Sequence, residues 1–398
     1  MPMKTDLASL LAPLSLRRFL ATFWAQQPRH FPSKGKRFTK LMPWSVLNRV
    51  LYSHRLQTPH LRLWKEGREL PREAYLRDDL AIGGVKVPSV NVSAMHTSLR
   101  DGASLILNGV EHLYEPVRAL AEAFELELHA PAQVNAYAAW AEAPGFDTHW
   151  DDHDVFILQV TGRKKWRVFE PSSSSPLFPS RSEKPPQASP RWEGTMRPGD
   201  MLYIPRGWWH DACAMGEPTL HLTFGIRSLT GLDIVEAMTR RLKESPVLRQ
   251  EVPRFESSRG QAAYERALKE ALRREIDSLK LGEFLLEHDG MARVFEQPSL
   301  PWAIATPKNR LADSQVLTWR PRRRVQMRVS GGQLRFTALG TRWAFSEATE
   351  SIVRKLEAER RITVSAVRAH ARKAGHSEAT VSEFLVDLLR RGLIGTDS

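Results

Sequence analysis

Up to about Thr230 the apolar residues fall mostly in short strand-like runs, and beyond it they recur every third or fourth position. Period-two patterning marks strands with one buried face, and a period near 3.6 marks amphipathic helices. The chain is therefore expected to be α+β, with its strands concentrated in the first part.

Leu16, Phe19, Leu20, Phe23 and Trp24 predict a first helix behind Ser15 as N-cap, ended by Pro28 and Phe31-Pro32. A second is expected from Val46 to Tyr52, capped by Ser45. Residues 61–65 and 104–108 pattern as strands, 115–124 as a helix, and the run QVNAYAAW from Gln133 as another strand. Helical patterning then covers 231–242, 260–279 and 282–288. From about Gln315 a hairpin (325–329, a turn at 330–332, then 334–337) precedes a helix capped by Ser346 and another over 364–374. A capping box at Thr380–Glu383 is expected to start the last helix, which stops at Gly392.

The chemistry concentrates in His149-Trp150-Asp151-Asp152-His153, which runs straight into the apolar stretch Val155–Val160. On an extended strand residues i and i+2 share a face roughly 6–7 Å apart, so His149 and Asp151 can converge on one ion. His153 lies about 13 Å from His149 on the same strand and is not expected to join them. A second segment answers the first: Gly199-Asp200 as a turn, Met201–Ile204 as a short buried strand, Pro205-Arg206-Gly207 as a second turn, then His210. Two histidines and one carboxylate make the facial triad of non-haem iron(II) sites, which leaves coordination positions open.

Thr161-Gly162-Arg163 is expected to be a hairpin connection to the strand 164–169. Alternation then puts Lys164, Trp166 and Val168 on one face and Lys165, Arg167 and Phe169 on the other. A cation on the inner face calls for an anion to pair with it; the alternative is that Lys164 is a solvated turn residue. His221, in the alternating run Leu220–Ile226, is read as a lining residue, since no Pro-x-Gly turn precedes it.

HWDDHDVFILQVTGRKKWRVFEP, QVNAYAAW and PGDMLYIPRGWWH resemble the JmjC-type cupin oxygenases, in particular their ribosomal-oxygenase branch, over about residues 12–228. The resemblance implies a double-stranded β-helix followed by a helical region and a C-terminal winged-helix domain. The corresponding segments are 1–228 (catalytic, with N-terminal helices), 229–312 (helical, serving dimerisation) and 313–398. It implies a 2-oxoglutarate-dependent dioxygenase that hydroxylates a protein side chain, an Arg or His of a ribosomal protein. Iron(II) falls to His149, Asp151 and His210, the far carboxylate of 2-oxoglutarate to Lys164, and a cofactor-lining role to Asn135. Trp150 departs from the family pattern, which more often has Tyr or Phe there. Two alternatives stand beside this reading: an oxygenase of a small molecule or biosynthetic peptide, and a non-catalytic cupin sensor with a DNA-binding winged helix.

Composition narrows the setting. One cysteine, Cys213, excludes an intramolecular disulfide and a thiolate metal cluster. With no signal pattern at residues 1–11 and no apolar run near the roughly 18 residues of a membrane span, the expected location is cytoplasmic, with no membrane partner. A net charge of +13 favours acidic partners such as ribosomal particles. The arginines at 320 and 322–324 keep nucleic acid open as a partner without making it the favoured one. The loop 142–147 is expected to form a lip beside His149, and the Ser/Pro-rich insert 171–191 a surface loop.

Overall fold

The structure is a computed structural model of the 398-residue chain. It describes all residues except 1–5, 34, 36, 82, 141, 143–145, 178–183, 293–297, 305–310 and 397–398. Two compact units divide the chain, 1–228 and 229–398.

The first unit contains β1 (Arg29–Phe31), β2 (Leu61–Lys65), β3 (Arg68–Glu69), β4 (Leu76–Leu80), β5 (Lys86–Val90), β6 (Ser104–Asn108), β7 (Ala132–Ala139), β8 (Asp154–Thr161), β9 (Lys164–Phe169), β10 (Trp192–Met196), β11 (Met201–Ile204), β12 (Trp209–Ala214) and β13 (Thr219–Ile226). A larger antiparallel sheet has the order β1-β11-β8-β13-β7-β6-β2-β3, a smaller one the order β10-β9-β12, and β4 pairs with β5 alone. The two larger sheets face each other across one interior, which is the expected double-stranded β-helix.

The continuous apolar run of β8 follows from this arrangement, because the strand is covered on both faces. Phe156, Leu158 and Val160 pack outward with Phe19, Leu120 and Phe124 of the helices Leu16–Thr22 and Glu115–Leu128. Val155 and Ile157 point inward with Trp166, Val168, Leu202 and Ile204. β13 divides the same way, with Leu220, Leu222, Phe224 and Ile226 in the outer core.

One expectation about this unit fails. β8 and β9 are not a hairpin: they belong to different sheets, and β9 pairs with β10 and β12. Gly162 carries the chain across the corner at φ +66, and a Cβ there would lie 2.3 Å from the Pro218 carbonyl oxygen. A short Gly-containing link suits a sheet-to-sheet corner as well as a hairpin turn, so local sequence does not separate the two.

The second unit begins with the helices Gly231–Leu242, Pro246–Arg249, Ser258–Asp277 and Leu281–Met291. It continues with β14 (Val316–Trp319), β15 (Arg328–Ser330), β16 (Gln333–Ala338), β17 (Thr341–Ser346), β18 (Arg361–Thr363) and β19 (Ile394–Thr396), arranged as the sheets β18-β14-β19 and β15-β16-β17. The helices Glu350–Glu359, Val364–Lys373 and Glu378–Arg390 complete it, around a core that includes Leu317, Trp319, Leu334, Val353 and Leu385.

Ser15 caps its helix as expected, accepting from the Arg18 N–H at 3.3 Å. Ser45 does not cap: the helix starts at Trp44 behind Pro43, whose fixed φ suits helix entry without a side-chain bond. Ser346 leads into a 3₁₀ turn, and its side chain makes no capping bond there. The last helix starts behind Ser377, which accepts from the Thr380 N–H at 3.2 Å, so the Thr380–Glu383 pair lies inside the helix. Residues 143–145 of the expected lip and 178–183 of the insert lie outside the described residues. Among the described residues no helix is long and apolar enough to cross a membrane.

Phe224 is fully buried and stacks on Phe124 with ring centroids 5.0 Å apart. We expect Phe224→Ala to cost about 3–5 kcal/mol of stability, measured by denaturant unfolding. A loss below 1 kcal/mol would mean that this outer core is not what holds the sheet.

Candidate metal centre

His149 and His210 meet through their backbones before their side chains are considered. The His149 N–H donates to the His210 carbonyl at 3.0 Å and the His210 N–H to the His149 carbonyl at 2.7 Å. This antiparallel bridge joins the segment entering β8 to the start of β12, and so ties the larger sheet to the smaller. His149 and Asp151 therefore precede the strand on which their spacing was first interpreted, since β8 begins at Asp154. Asp151 is held separately: its carbonyl accepts from the Gly207 N–H at 3.0 Å. Gly207 sits at φ +82, in the Pro-Arg-Gly turn, where a Cβ would strike Pro176.

The side chains of His149, Asp151 and His210 then converge, each offering one ligand atom within 4.8 Å of the others. His149 Nε2 lies 3.9 Å from Asp151 Oδ1, and His210 Nε2 lies 3.5 Å from Asp151 Oδ2. On the far side of each ring Nδ1 faces a backbone carbonyl, that of Asp147 at 2.8 Å for His149 and that of Trp208 at 2.9 Å for His210. A carbonyl only accepts, so Nδ1 carries the proton and both Nε2 lone pairs point at Asp151. That is how neutral imidazoles are oriented toward a metal. Burial, with His149 next to it, pushes His210 down to about 4. Burial alone would raise Asp151, but His210, His149 and His153 together hold it below the ordinary carboxylate range. The donor set fits a divalent ion of the iron(II) type.

A second layer braces the pair from outside. Asp211, buried next to His210, accepts two bonds from Arg167, from Nε at 3.0 Å and Nη2 at 2.9 Å, and one from the Thr148 hydroxyl at 2.9 Å. It thereby links the neighbours of both histidines in sequence. Nothing in the spacing of the sequence pointed to this brace. His153 stays out of the triad, bonded through Nδ1 to Asp152 at 2.8 Å with its ring against Gly225.

The barrel interior beyond the triad is polar and incompletely paired. Lys164 is 8% exposed, and among the described residues no carboxylate lies within ion-pair distance of it. Burial pushes it down to about 8, only partly offset by Cys213. Its Nζ sits 5.7 Å from the centre of the Trp166 ring. Close by, His221 stacks on Tyr137 at 5.0 Å and meets Trp166 edge-on at 5.5 Å. Burial and the adjacent Lys164 hold His221 neutral, well below its usual range. His221 Nδ1, Gln159 Oε1 and Trp166 Nε1 are buried and lack hydrogen-bond partners among the described residues. Unpaired buried polar atoms are costly, and these, with a lone ammonium, suit a polar anionic guest such as 2-oxoglutarate.

A cleft of about 430 Å³ leads from Asp151 past Asn135, Tyr137, His153 and Thr223. Asn135 lines this cleft, and its Oδ1 accepts from the Gly109 N–H at 3.3 Å. Tyr137 is pushed up to about 12 by burial and by the Asp151 charge. The alternation of QVNAYAAW places it on the face of Asn135, a signal that could have found it. At the rim, Phe146 lies 5.8 Å from the His149 ring and 5.1 Å from Trp64, over which Arg62 is stacked.

Comparison with known proteins adds the following. Residues 112–234 match the JmjC domain family. The chain is 28% identical over 224 residues to a Drosophila pseudoobscura pseudoobscura protein described as bifunctional lysine-specific demethylase and histidyl-hydroxylase NO66, covering 55% of this chain and 23% of that one. Its Drosophila grimshawi counterpart is 30% identical over 230 residues, covering 55% and 30%. The matches thus span about a quarter to a third of the length of those relatives. Among solved structures, the ribosomal oxygenase YcfD from Escherichia coli superposes with a TM-score of 0.59 at 18% identity, covering 97% of this chain and 99% of that one. Its complex with cobalt and 2-oxoglutarate has the same score, identity and coverage. At that identity the likeness is one of fold.

Cobalt(II) titration of the metal-free protein, followed by calorimetry, tests the geometry. We expect His210→Ala to abolish tight binding and Asp211→Ala to weaken it roughly 10- to 100-fold while leaving the fold intact. Unchanged affinity in the first variant would remove His210 from the site.

Proposed function

We propose, from the match of residues 112–234 to the JmjC domain family, that this chain is an iron(II)- and 2-oxoglutarate-dependent dioxygenase acting on a protein side chain. The observation that carries the proposal is the convergence of His149, Asp151 and His210, with the buried Lys164 on the other side of Trp166 and no carboxylate within ion-pair distance of it among the described residues. The favoured substrate is an Arg or His of a ribosomal protein, in keeping with the descriptions of the relatives and with a net charge of +13 that suits a particle rich in phosphate.

His149 Nε2, the Asp151 carboxylate and His210 Nε2 would hold the iron, and Lys164 the far carboxylate of 2-oxoglutarate in a charge-assisted contact. Asn135 would line the same cavity. When bound, these groups supply the oxidising power that places one oxygen atom of O₂ on a substrate C–H while 2-oxoglutarate becomes succinate and CO₂. The chain's own contribution is orientation and dryness. The two Nδ1 bonds fix the imidazoles, the apolar wall of Val155, Ile157, Trp166 and Leu202 would exclude water, and Phe146, packed between His149 and Trp64, would border the bound substrate.

In the same proposal 1–228 is the catalytic domain, 229–312 a pairing region and 313–398 a winged-helix-like domain, in a cytoplasmic protein. Leu232, Val235, Ile276, Leu281 and Leu286 are all more than 40% exposed, apolar surface that a second copy would cover. Light scattering after size-exclusion chromatography is expected to give a dimer that Val235→Glu splits.

Succinate formation with iron(II), 2-oxoglutarate and O₂, with and without ribosomal proteins, tests the activity. Turnover lost in His149→Ala and Asp151→Ala, with one ribosomal protein gaining the mass of a single oxygen atom, is the expected result. Tight metal binding without turnover under any condition would favour the sensor, and turnover with a small molecule alone would favour the other oxygenase reading. The ammonium of Lys164 is the form that binds a carboxylate. Its position at about 8 therefore predicts weaker 2-oxoglutarate binding as pH rises above that value, with a slope that approaches about tenfold per pH unit. Lys164→Met is expected to bind weakly at every pH, and a wild-type affinity that stays flat to pH 9.5 would separate Lys164 from the co-substrate.

A further inference from the structure

The sheet β15-β16-β17 has one face turned into the core; the other is exposed at Arg328, Arg335, Arg342 and Ala344 and is met at Thr337 by Gly290 of the helix Leu281–Met291. Leu334, Phe336, Ala338, Trp343 and Phe345 point inward, with Arg391 stacked over Trp343 and Phe345. The register places Arg328 directly opposite Arg335, with Ala344 next across, and Thr337 opposite Arg342. The outer face therefore carries Arg328, Arg335 and Arg342 among Ser330, Gln333, Thr337, Ala344 and Ser346, and no acidic residue. Like charges directly opposite on a sheet destabilise it, so this pairing works against the fold.

Local neutralisation is small. Arg335 donates to the Gln333 side-chain oxygen at 3.2 and 2.9 Å, which does not cancel its charge. Arg342 reaches Glu287 at 3.5 Å in an exposed pair of little strength. Among the described residues no carboxylate lies within ion-pair distance of Arg328 or Arg335. Arg324 adds a further exposed cation on the approach to β15.

We propose that this face binds the phosphate backbone of a nucleic-acid duplex. Guanidinium groups match phosphate oxygens in two-pronged contacts, and the small side chains between them let a backbone approach closely. The face carries no aromatic residue. Single strands draw much of their affinity from stacking on aromatics, so a duplex, bound without base readout, is the matching ligand. Contact with phosphates alone makes the binding independent of sequence and steeply dependent on salt. This binding stands apart from the oxygenase reaction and does not depend on it.

The test is fluorescence anisotropy of the full-length protein with labelled 20-base-pair RNA and DNA duplexes and a single-stranded RNA of the same length, from 50 to 200 mM salt. We expect either duplex to bind more tightly than the single strand. The double variant Arg328→Ala/Arg335→Ala should weaken duplex binding at 0.1 M salt by at least about tenfold and flatten the log–log salt slope by about 2. Arg17→Ala/Arg18→Ala removes the same charge from exposed positions in the first unit and should change little. Comparison of the RNA and DNA arms identifies which duplex the face prefers. Equal losses in the two double variants, no binding at 100 mM salt, preference for the single strand, or equally effective competition by polyglutamate would each overturn the proposal. Unchanged circular dichroism and melting of the Arg328/Arg335 variant exclude unfolding as the cause of any loss.

Discussion

Two backbone hydrogen bonds between His149 and His210 are the constraint on which the rest of the first unit turns. They form where the larger sheet's feed-in segment touches the start of β12 in the smaller, so the closure of the barrel and the assembly of the ligand set are one event. Everything nearby reinforces that contact. Gly207 holds Asp151 from one side, Asp211 binds the flanks of both histidines from the other, and the Nδ1 bonds set the ring orientation. A site built this way is rigid before any ligand arrives, which lowers the reorganisation left for binding.

Much of this was legible along the chain because chemistry and periodicity coincide there. A histidine and a carboxylate two apart, followed by a strand with both faces apolar, leave few ways to fold. The Pro-x-Gly turn before His210 supplies the returning ligand. Lys164 was legible for the same reason, since alternation in β9 places it with Trp166 and Val168, which are both buried. What stayed hidden was pairing at a distance. That β9 leaves the sheet of β8 depends on how Gly162 packs under Pro218, and that Asp211 braces the site depends on Thr148 and Arg167 arriving from other elements. Helix starts were misjudged where two capping residues compete within a few positions. Ser377 takes the place that Thr380 could also have filled, and Pro43 enters its helix with no side-chain cap at all.

The second unit distributes its polar and apolar surface differently. Its helical part leaves leucines, valines and an isoleucine uncovered, and its hairpin sheet leaves Arg328 and Arg335 without an acidic partner among the described residues, while its core is well packed. Neither feature helps the isolated fold. Surfaces that cost stability at rest are the ones whose chemistry is satisfied by something else.

The lone ammonium of Lys164 has a consequence for the lifetime of the protein as well as for its chemistry. A cation enclosed with no counter-ion among the described residues weakens the empty fold, and a dianion seated against it restores what was lost. Ligand present at a hundred times its dissociation constant adds about 2.7 kcal/mol to the folded state, a large share of what holds a typical domain together. If the proposed activity holds, the abundance of the co-substrate would set how often the chain opens to proteases, and a metabolite consumed in the reaction would also govern the turnover of the protein that consumes it.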